Sequence, residues 1–169
     1  MNDLINSIKF SIRTENYYSA LAVSLMLPDI AGKIDNPAMR VGERYRQWYI
    51  ENMSSTYGNF FTPEDFYALR CKYLHEGRAD IPSNDINKII ETIYFTVPGT
   101  NKVIRSKFGG KRITQIDIFC MDIINAIELW KIAISGDSSK TAELNKVSLN
   151  LFPFYNHVDG KFNVFSLPK

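Results

Sequence analysis

Two residues whose types could do chemistry together lie in one short stretch, at Arg70 and His75. The chain has two histidines, and this one follows the arginine by five positions. An imidazole exchanges a proton near neutral pH, whereas a guanidinium stays charged and binds phosphate oxygens in a fork. Together the two side chains are a minimal set for cutting a phosphodiester bond without a metal ion.

The residues around this pair predict a helix whose two ends are both marked. Thr62 is a hydroxyl N-cap and Pro63 fits the first helical position. Asp65 can complete a capping box in the role that Glu usually plays. Gly77 supplies the stop. The sequence therefore predicts that Arg70 and His75 share one helix.

The helical spacing places Arg70 and His75 on different sides of that helix. Five residues correspond to roughly 140° around the axis and about 7.5 Å along it. Arginine is long enough to reach a common groove, and the helix dipole favours a protonated His75 in the last turn. Lys72 would add positive charge to a phosphate site. The alternative is that Arg70 makes a structural ion pair and His75 caps the helix end.

Other side chains are weaker candidates for contact with a substrate. Tyr73 can stack on a base or pack in the core. Three arginines of the predicted third helix can extend a phosphate-binding surface or form a solvated face; they are Arg40, Arg44 and Arg46. The most basic stretch can contact an RNA backbone or be a solvated hairpin, and it contains Lys102, Arg105, Lys107, Lys111 and Arg112. The second histidine, His157, lies in a predicted surface turn, where we expect no catalytic role.

The elements that must position these residues are mainly helical. Asp3 can cap a first helix, and a second helix over residues 15–27 is apolar on most sides, with Pro28 expected to break or kink it. Gly32 and Asn36-Pro37 indicate a turn. Further predicted elements are helices over 38–53, 84–90 and 115–135, a hairpin of strands over 92–97 and 102–108, a further turn at 109–110, a polar linker over 136–140, and apolar segments over 147–152 and 162–165 that read as edge strands or packing straps.

Composition narrows the function classes. The chain has 169 residues, of which 45% are hydrophobic and 22% charged, as in an ordinary globular domain. A net charge of +2 means that any nucleic-acid contact must depend on a local patch. Cys71 and Cys120 have no metal-type spacing and are expected to be buried free thiols. With no signal peptide and no apolar run long enough for a membrane, we expect a cytoplasmic protein without a membrane partner.

The sequence lacks the motifs of several enzyme classes. Gly109-Gly110-Lys111 is not a phosphate-binding loop, since the first glycine of that motif and the hydroxyl after the lysine are missing. The sequence contains no Gly-x-Ser-x-Gly, no His-Glu-x-x-His and no zinc-ligand cluster. No cofactor or metal is therefore expected.

The helix that ends with residues 67–77, and in particular the Arg70-x4-His75 pattern, resembles the signature of HEPN domains. The resemblance implies a small helical bundle and a metal-independent endoribonuclease of toxin or phage-defence type, often dimeric, with Arg70 and His75 in the motif positions. RNA, a second copy of the chain and an antitoxin or other protein partner are the partners it implies. The residue after the motif arginine is often polar in active members and here is Cys71, so the alternative is a non-catalytic module that binds RNA, a nucleotide or a protein.

We therefore predict a mainly α fold of about five helices over residues 1–135, including the hairpin over 92–108, with a C-terminal extension over 136–169 that packs on the bundle. Catalysis would use Arg70 and His75, and Lys72, Tyr73, Arg44 and Arg105 would bind substrate. Since RNA cleavage by the 2′-hydroxyl needs both an acid and a base, and the motif holds one histidine, a two-fold dimer would supply both. Arg70 would stabilise charge in the transition state.

Overall fold

The computed structural model describes residues 1–75, 83–99 and 105–147, apart from the side chains of His75 and Ser83. These residues form eight helices and a small three-stranded sheet, which confirms a mainly helical fold. In chain order the elements are α1 (Asn2–Arg13), α2 (Tyr17–Asp35), α3 (Val41–Asn52), α4 (Ser54–Tyr57), α5 (Pro63–His75), α6 (Ser83–Ile90), β1 (Ile93–Thr96), β2 (Arg105–Phe108), β3 (Lys111–Gln115), α7 (Ile116–Ala133) and α8 (Ser138–Asn145). The described residues therefore hold more helices than the bundle of about five that the sequence predicts.

Helix α2 lies at the centre of the bundle, where it contacts α1, α3, α5, α7 and α8. Its apolar character on most sides follows from this position. The core between α3, α5 and α7 is aromatic: the ring of Phe66 lies 4.9 Å from that of Tyr49 and 5.7 Å from that of Phe119, centroid to centroid. Buried rings of this size contribute much of the apolar area that holds such a core together.

The prediction that the second helix ends near Pro28 is wrong. Helix α2 continues through Pro28 to Asp35, because the buried Pro28 packs in a helix that has neighbours on most sides. That packing outweighs a cost of about 3 kcal/mol for a proline in a helix interior. Gly32 also lies inside the helix, where a Cβ atom would stand 3.0 Å from the carbonyl oxygen of Arg44. It therefore permits the close approach of α2 and α3, while the predicted turn begins at Asn36.

The predicted pairing of the strands is also wrong. β3 is the central strand: it pairs in parallel with β1 and antiparallel with β2. The tight turn is made by Gly109 and Gly110, whose φ angles of +57° and +76° suit a two-residue hairpin loop. Two consecutive glycines adopt these positive φ angles without strain, which suits them to the turn between β2 and β3.

The polar linker predicted after the last bundle helix begins helix α8. The carboxylate of Asp137 caps this helix by accepting hydrogen bonds from the backbone N–H groups of Ser139 and Lys140. The ammonium of Lys140 contacts a carboxylate oxygen of Asp35 on α2 at 2.7 Å, so α8 packs on the bundle. Gly77, Lys102, His157 and the predicted apolar segments beyond Val147 lie outside the described residues. Of the described helices, none has the length and apolar character needed to cross a membrane.

Candidate functional site

The capping box predicted for α5 is present in the structure. The carboxylate of Asp65 accepts a hydrogen bond from the backbone N–H of Thr62 at 2.7 Å, and the Thr62 hydroxyl accepts one from the N–H of Asp65 at 3.1 Å. Asp65 also pairs with the guanidinium of Arg112 from β3. The start of α5 is therefore fixed both by its own residues and by the sheet.

Arg70 is held by an ion pair across the bundle. Its Nη2 atom lies 2.7 Å from Oδ2 of Asp29 on α2, and its side chain is only 8% exposed. Burial by itself would lower the pKa of Arg70, but the hydrogen bond and the charge of Asp29 outweigh it and raise that pKa above its ordinary value. The structure thus contains the ion pair that the alternative assigns to Arg70, and its partner is 41 residues away in sequence.

Asp29 also binds a second arginine. Its Oδ1 atom lies 3.3 Å from Nη2 of Arg44 on α3, so one carboxylate bridges two guanidinium groups. The Nε atoms of Arg44 and Arg70 are buried and find no hydrogen-bond partner among the residues that the structure describes. We call the group formed by Asp29, Arg44 and Arg70 the Asp29 cluster. Its two guanidiniums and one carboxylate sum to one excess positive charge.

A further arginine lies near the Asp29 cluster, over the ring of Tyr67. The guanidinium carbon of Arg46 lies 4.8 Å from the centre of this ring, and that of Arg70 lies 5.9 Å from it. Cation–π contacts of this kind hold an arginine over a buried aromatic ring. Of the three arginines predicted on the third helix, Arg44 and Arg46 thus lie toward α5, and Arg40 is exposed at the start of α3.

His75 is the last residue of α5, five residues after Arg70 in an uninterrupted helix. Its side chain lies outside the described part of the structure, so the pairing of Arg70 with His75 stays a prediction. The unbroken helix supports the angular separation of roughly 140° expected from sequence. Lys72 and Tyr73, between the two motif residues, are both exposed.

Cys71, which follows Arg70, is fully buried in the core cluster, and so is Cys120 of α7. Neither cysteine forms a disulfide and both are buried, as expected from sequence. Burial raises the pKa of Cys120 to about 11, so this thiol stays protonated near neutral pH. A buried, protonated thiol is a poor nucleophile, which favours a packing role.

Basic side chains of the β2–β3 hairpin contact other elements of the chain. Arg105 pairs with Asp122 of α7 and donates to the carbonyl of Thr56, and its guanidinium carbon lies 4.4 Å from the centre of the Tyr57 ring. Lys107 donates to the carbonyl of Asn59. These contacts fix the sheet against the segment before α5. They place Arg105 in a different contact network from the Asp29 cluster.

Sequence reasoning missed two features of this region. The first is Asp29, which has a signal in hindsight: it is an acidic residue that follows a proline within an apolar helix. The second is a cleft of about 400 Å³ beside Tyr73, lined also by Tyr17, Tyr18 and Tyr94. The tyrosines come from different elements, so no local pattern could have predicted the cleft. The structure thus joins Arg44 to Arg70 and places Tyr73 in a cleft.

The described residues contain no group of three or more His, Cys, Asp or Glu side chains that could hold a metal ion. Comparisons of the chain with protein-family models, with curated proteins and with solved structures found no match.

Proposed function

We propose that this chain is an RNA-directed protein of HEPN type, a metal-independent endoribonuclease of the toxin or phage-defence class. Its site would be composite, with Arg70 and His75 contributed by each of two subunits. The observation that supports this proposal best is the Asp29 cluster. It holds Arg70 in place on α5, and this unbroken helix ends at His75.

The chemistry would be an attack by the RNA 2′-hydroxyl on the adjacent phosphorus. The 2′-oxygen loses its proton to one imidazole, the bond to the 5′-oxygen breaks, and a second imidazole protonates that oxygen. The products are a cyclic phosphate and a free 5′-hydroxyl. His75 from two subunits would serve as base and acid. The excess positive charge of the Asp29 cluster would favour the dianionic transition state.

One observation favours a second candidate, a non-catalytic RNA-binding module of the same fold. The side chain of Arg70 is 8% exposed, and one of its donors is already used by Asp29. Such an arginine contributes to the positive electrostatic potential at the surface more than it binds a phosphate directly. In this candidate the exposed Lys72 and Tyr73 contact RNA, and no bond is cut.

A cleavage assay in excess EDTA tests the leading proposal. Labelled single-stranded RNA is incubated with the wild-type protein and with the His75→Ala variant. We expect the wild type to give fragments ending in a cyclic phosphate, and we expect the variant to lose at least about 100-fold in rate, as for removal of a general acid–base group. Equal rates for the two proteins would overturn the catalytic proposal.

RNA binding separates the two candidates. An RNA with 2′-O-methyl groups lacks the attacking hydroxyl and reports binding alone. Binding without cleavage of unmodified RNA would support the non-catalytic module. Absence of both binding and cleavage would rule out both candidates.

A further inference from the structure

The cleft beside Tyr73 is formed by elements distant in sequence. The first turn of α2 contributes Tyr17 and Tyr18, α5 contributes Tyr73, and β1 contributes Tyr94. We call this feature the tyrosine cleft. Its volume of about 400 Å³ is in the range of sites that hold small ligands.

Buried apolar side chains line part of the tyrosine cleft. Leu21 of α2, Ile93 of β1 and Ile116 of α7 line it and are at least nine-tenths buried. The rim is open, since Tyr18 is 81% exposed and Tyr73 is 40% exposed. An apolar base with exposed aromatic sides is the form expected of a site for a flat, partly apolar ligand.

The rings of the cleft differ from those of the core in their contacts. Core rings such as Tyr49, Phe66 and Phe119 pair with one another. In the described part of the chain, no such ring pair involves Tyr18 or Tyr73, although the two are close enough for Tyr18 to contribute to the raised pKa of Tyr73, after burial. Their ring faces are therefore not taken up by stacking on other described aromatic side chains.

Polar groups accompany the aromatic sides. Thr96 lines the cleft, and its hydroxyl oxygen is buried with no hydrogen-bond partner in the described part of the chain. A buried hydroxyl without a partner is costly unless a ligand or water satisfies it. At the β1 side, the Nζ atom of Lys111 lies 4.8 Å from the centre of the Tyr94 ring, which places a cation next to the cleft.

We propose that the tyrosine cleft holds one unpaired nucleobase of an RNA strand, with Tyr73 and Tyr18 as stacking partners. The inference deepens the proposed function and rests on it for the identity of the polymer. Single-stranded RNA is recognised by bases that stack on aromatic side chains, with hydrogen bonds to the base edges. Lys111, next to the Tyr94 ring, would attract the attached phosphate, whereas Glu15, which also lines the cleft, would repel it. An added peptide strand fits less well, because β1 offers an edge of only four residues.

The test measures binding without cleavage. The probes are a fluorescent ten-nucleotide single-stranded RNA with 2′-O-methyl groups, a duplex of the same length, and free adenosine. Anisotropy gives the Kd for the wild type, Tyr73→Ala, Tyr18→Ala and Tyr73→Phe. Phe10→Ala removes a comparably exposed ring outside the cleft and serves as the matched control. NMR signals of the tyrosine rings report adenosine binding, and circular dichroism confirms that each variant is folded.

We expect Tyr73→Ala to weaken single-strand binding by about 5- to 100-fold, the loss typical of one stacked base. Tyr73→Phe keeps the ring and should change the Kd less than about twofold. The Phe10→Ala variant and the duplex should show no such effect. Adenosine should shift the ring signals of Tyr18 and Tyr73.

Failure of this inference can be told apart from failure of the proposed function. Unshifted ring signals, or a Tyr73→Ala variant that binds single strands like the wild type, would overturn the base site even if RNA is cut in EDTA. Binding of an extended peptide in the cleft, without a response to adenosine, would overturn it as well. Shifted signals without any cleavage would support the base site and count against the nuclease alone.

Discussion

Replacement of Asp29 by Asn should destabilise the protein far more than the loss of an ordinary surface charge. Asp29→Asn keeps the shape of the side chain and one acceptor oxygen but removes the charge that faces two guanidiniums. Arg70 is 8% exposed and Arg44 is 13% exposed, so both would remain as poorly solvated cations. Breaking a buried pair from one side typically costs 3–5 kcal/mol.

The expected magnitude lies at the lower end of that range. The contact of Asp29 with Arg70 is short, at 2.7 Å, whereas the contact with Arg44 is 3.3 Å. Asp29 itself is 23% exposed, so water relieves part of the penalty. We therefore expect a loss of about 3 kcal/mol in the free energy of unfolding, or roughly a 150-fold shift in the folding equilibrium.

Urea denaturation at pH 7, followed by circular dichroism, measures this loss. The matched control is Glu143→Gln, since Glu143 pairs with Lys146 while both side chains are more than half exposed. That variant should lose less than about 0.5 kcal/mol. Adding Arg70→Met to Asp29→Asn should restore part of the stability, because it removes one unpaired cation. If Asp29→Asn loses no more stability than Glu143→Gln, the Asp29 cluster does not hold the bundle as argued.

Three further perturbations test the packing and the burial of individual groups. Gly32→Ala should lower the free energy of unfolding, measured with urea, by about 1–3 kcal/mol despite the better helix propensity of alanine, because the new Cβ would meet backbone at 3.0 Å. The control Gly136→Ala, with open space around it, should be neutral within about 0.5 kcal/mol. Asp65→Ala should cost about 3 kcal/mol by the same assay, because it removes the capping box and leaves Arg112 unpaired, and an unchanged unfolding midpoint would contradict this. Burial raises the pKa of Cys120 from 9.0 to about 11, so the native state favours the neutral thiol. The resulting contribution to the free energy of unfolding, on the order of 2 kcal/mol, is present below pH 9 and is lost between about pH 9 and pH 11. Urea unfolding across this interval should therefore show a smaller pH-dependent loss for Cys120→Ala than for the wild type, and parallel curves would refute the assignment.

The sequence predicts local features of this fold well. The capping box of Thr62 and Asp65 is visible in sequence because its two members are three residues apart, and it forms as expected. The burial of Cys71 and Cys120 also agrees with the expectation from sequence, since a cysteine without metal-type spacing is usually a small buried residue. In each case the signal can be read locally, without knowledge of which elements pack together.

Features that depend on distant residues could not be predicted in the same way. Pro28 signals a helix end locally, but the packing of α2 against neighbouring helices overrides that signal. The strand order depends on which strand lies in the middle, and periodicity does not reveal it. An ion pair for Arg70 was foreseeable as an alternative, whereas Asp29 as its partner was not, because the two are brought together only by the packing of α2 on α5.

The most direct test of the proposed composite site is the rate of RNA cleavage in EDTA as a function of protein concentration, with the dimer fraction measured in parallel by analytical ultracentrifugation. If two subunits each supply Arg70 and His75, the rate per mole of chain should fall on dilution together with the dimer fraction. A rate per mole that stays constant while the protein becomes monomeric, or the absence of cleavage at every concentration, would contradict the composite site.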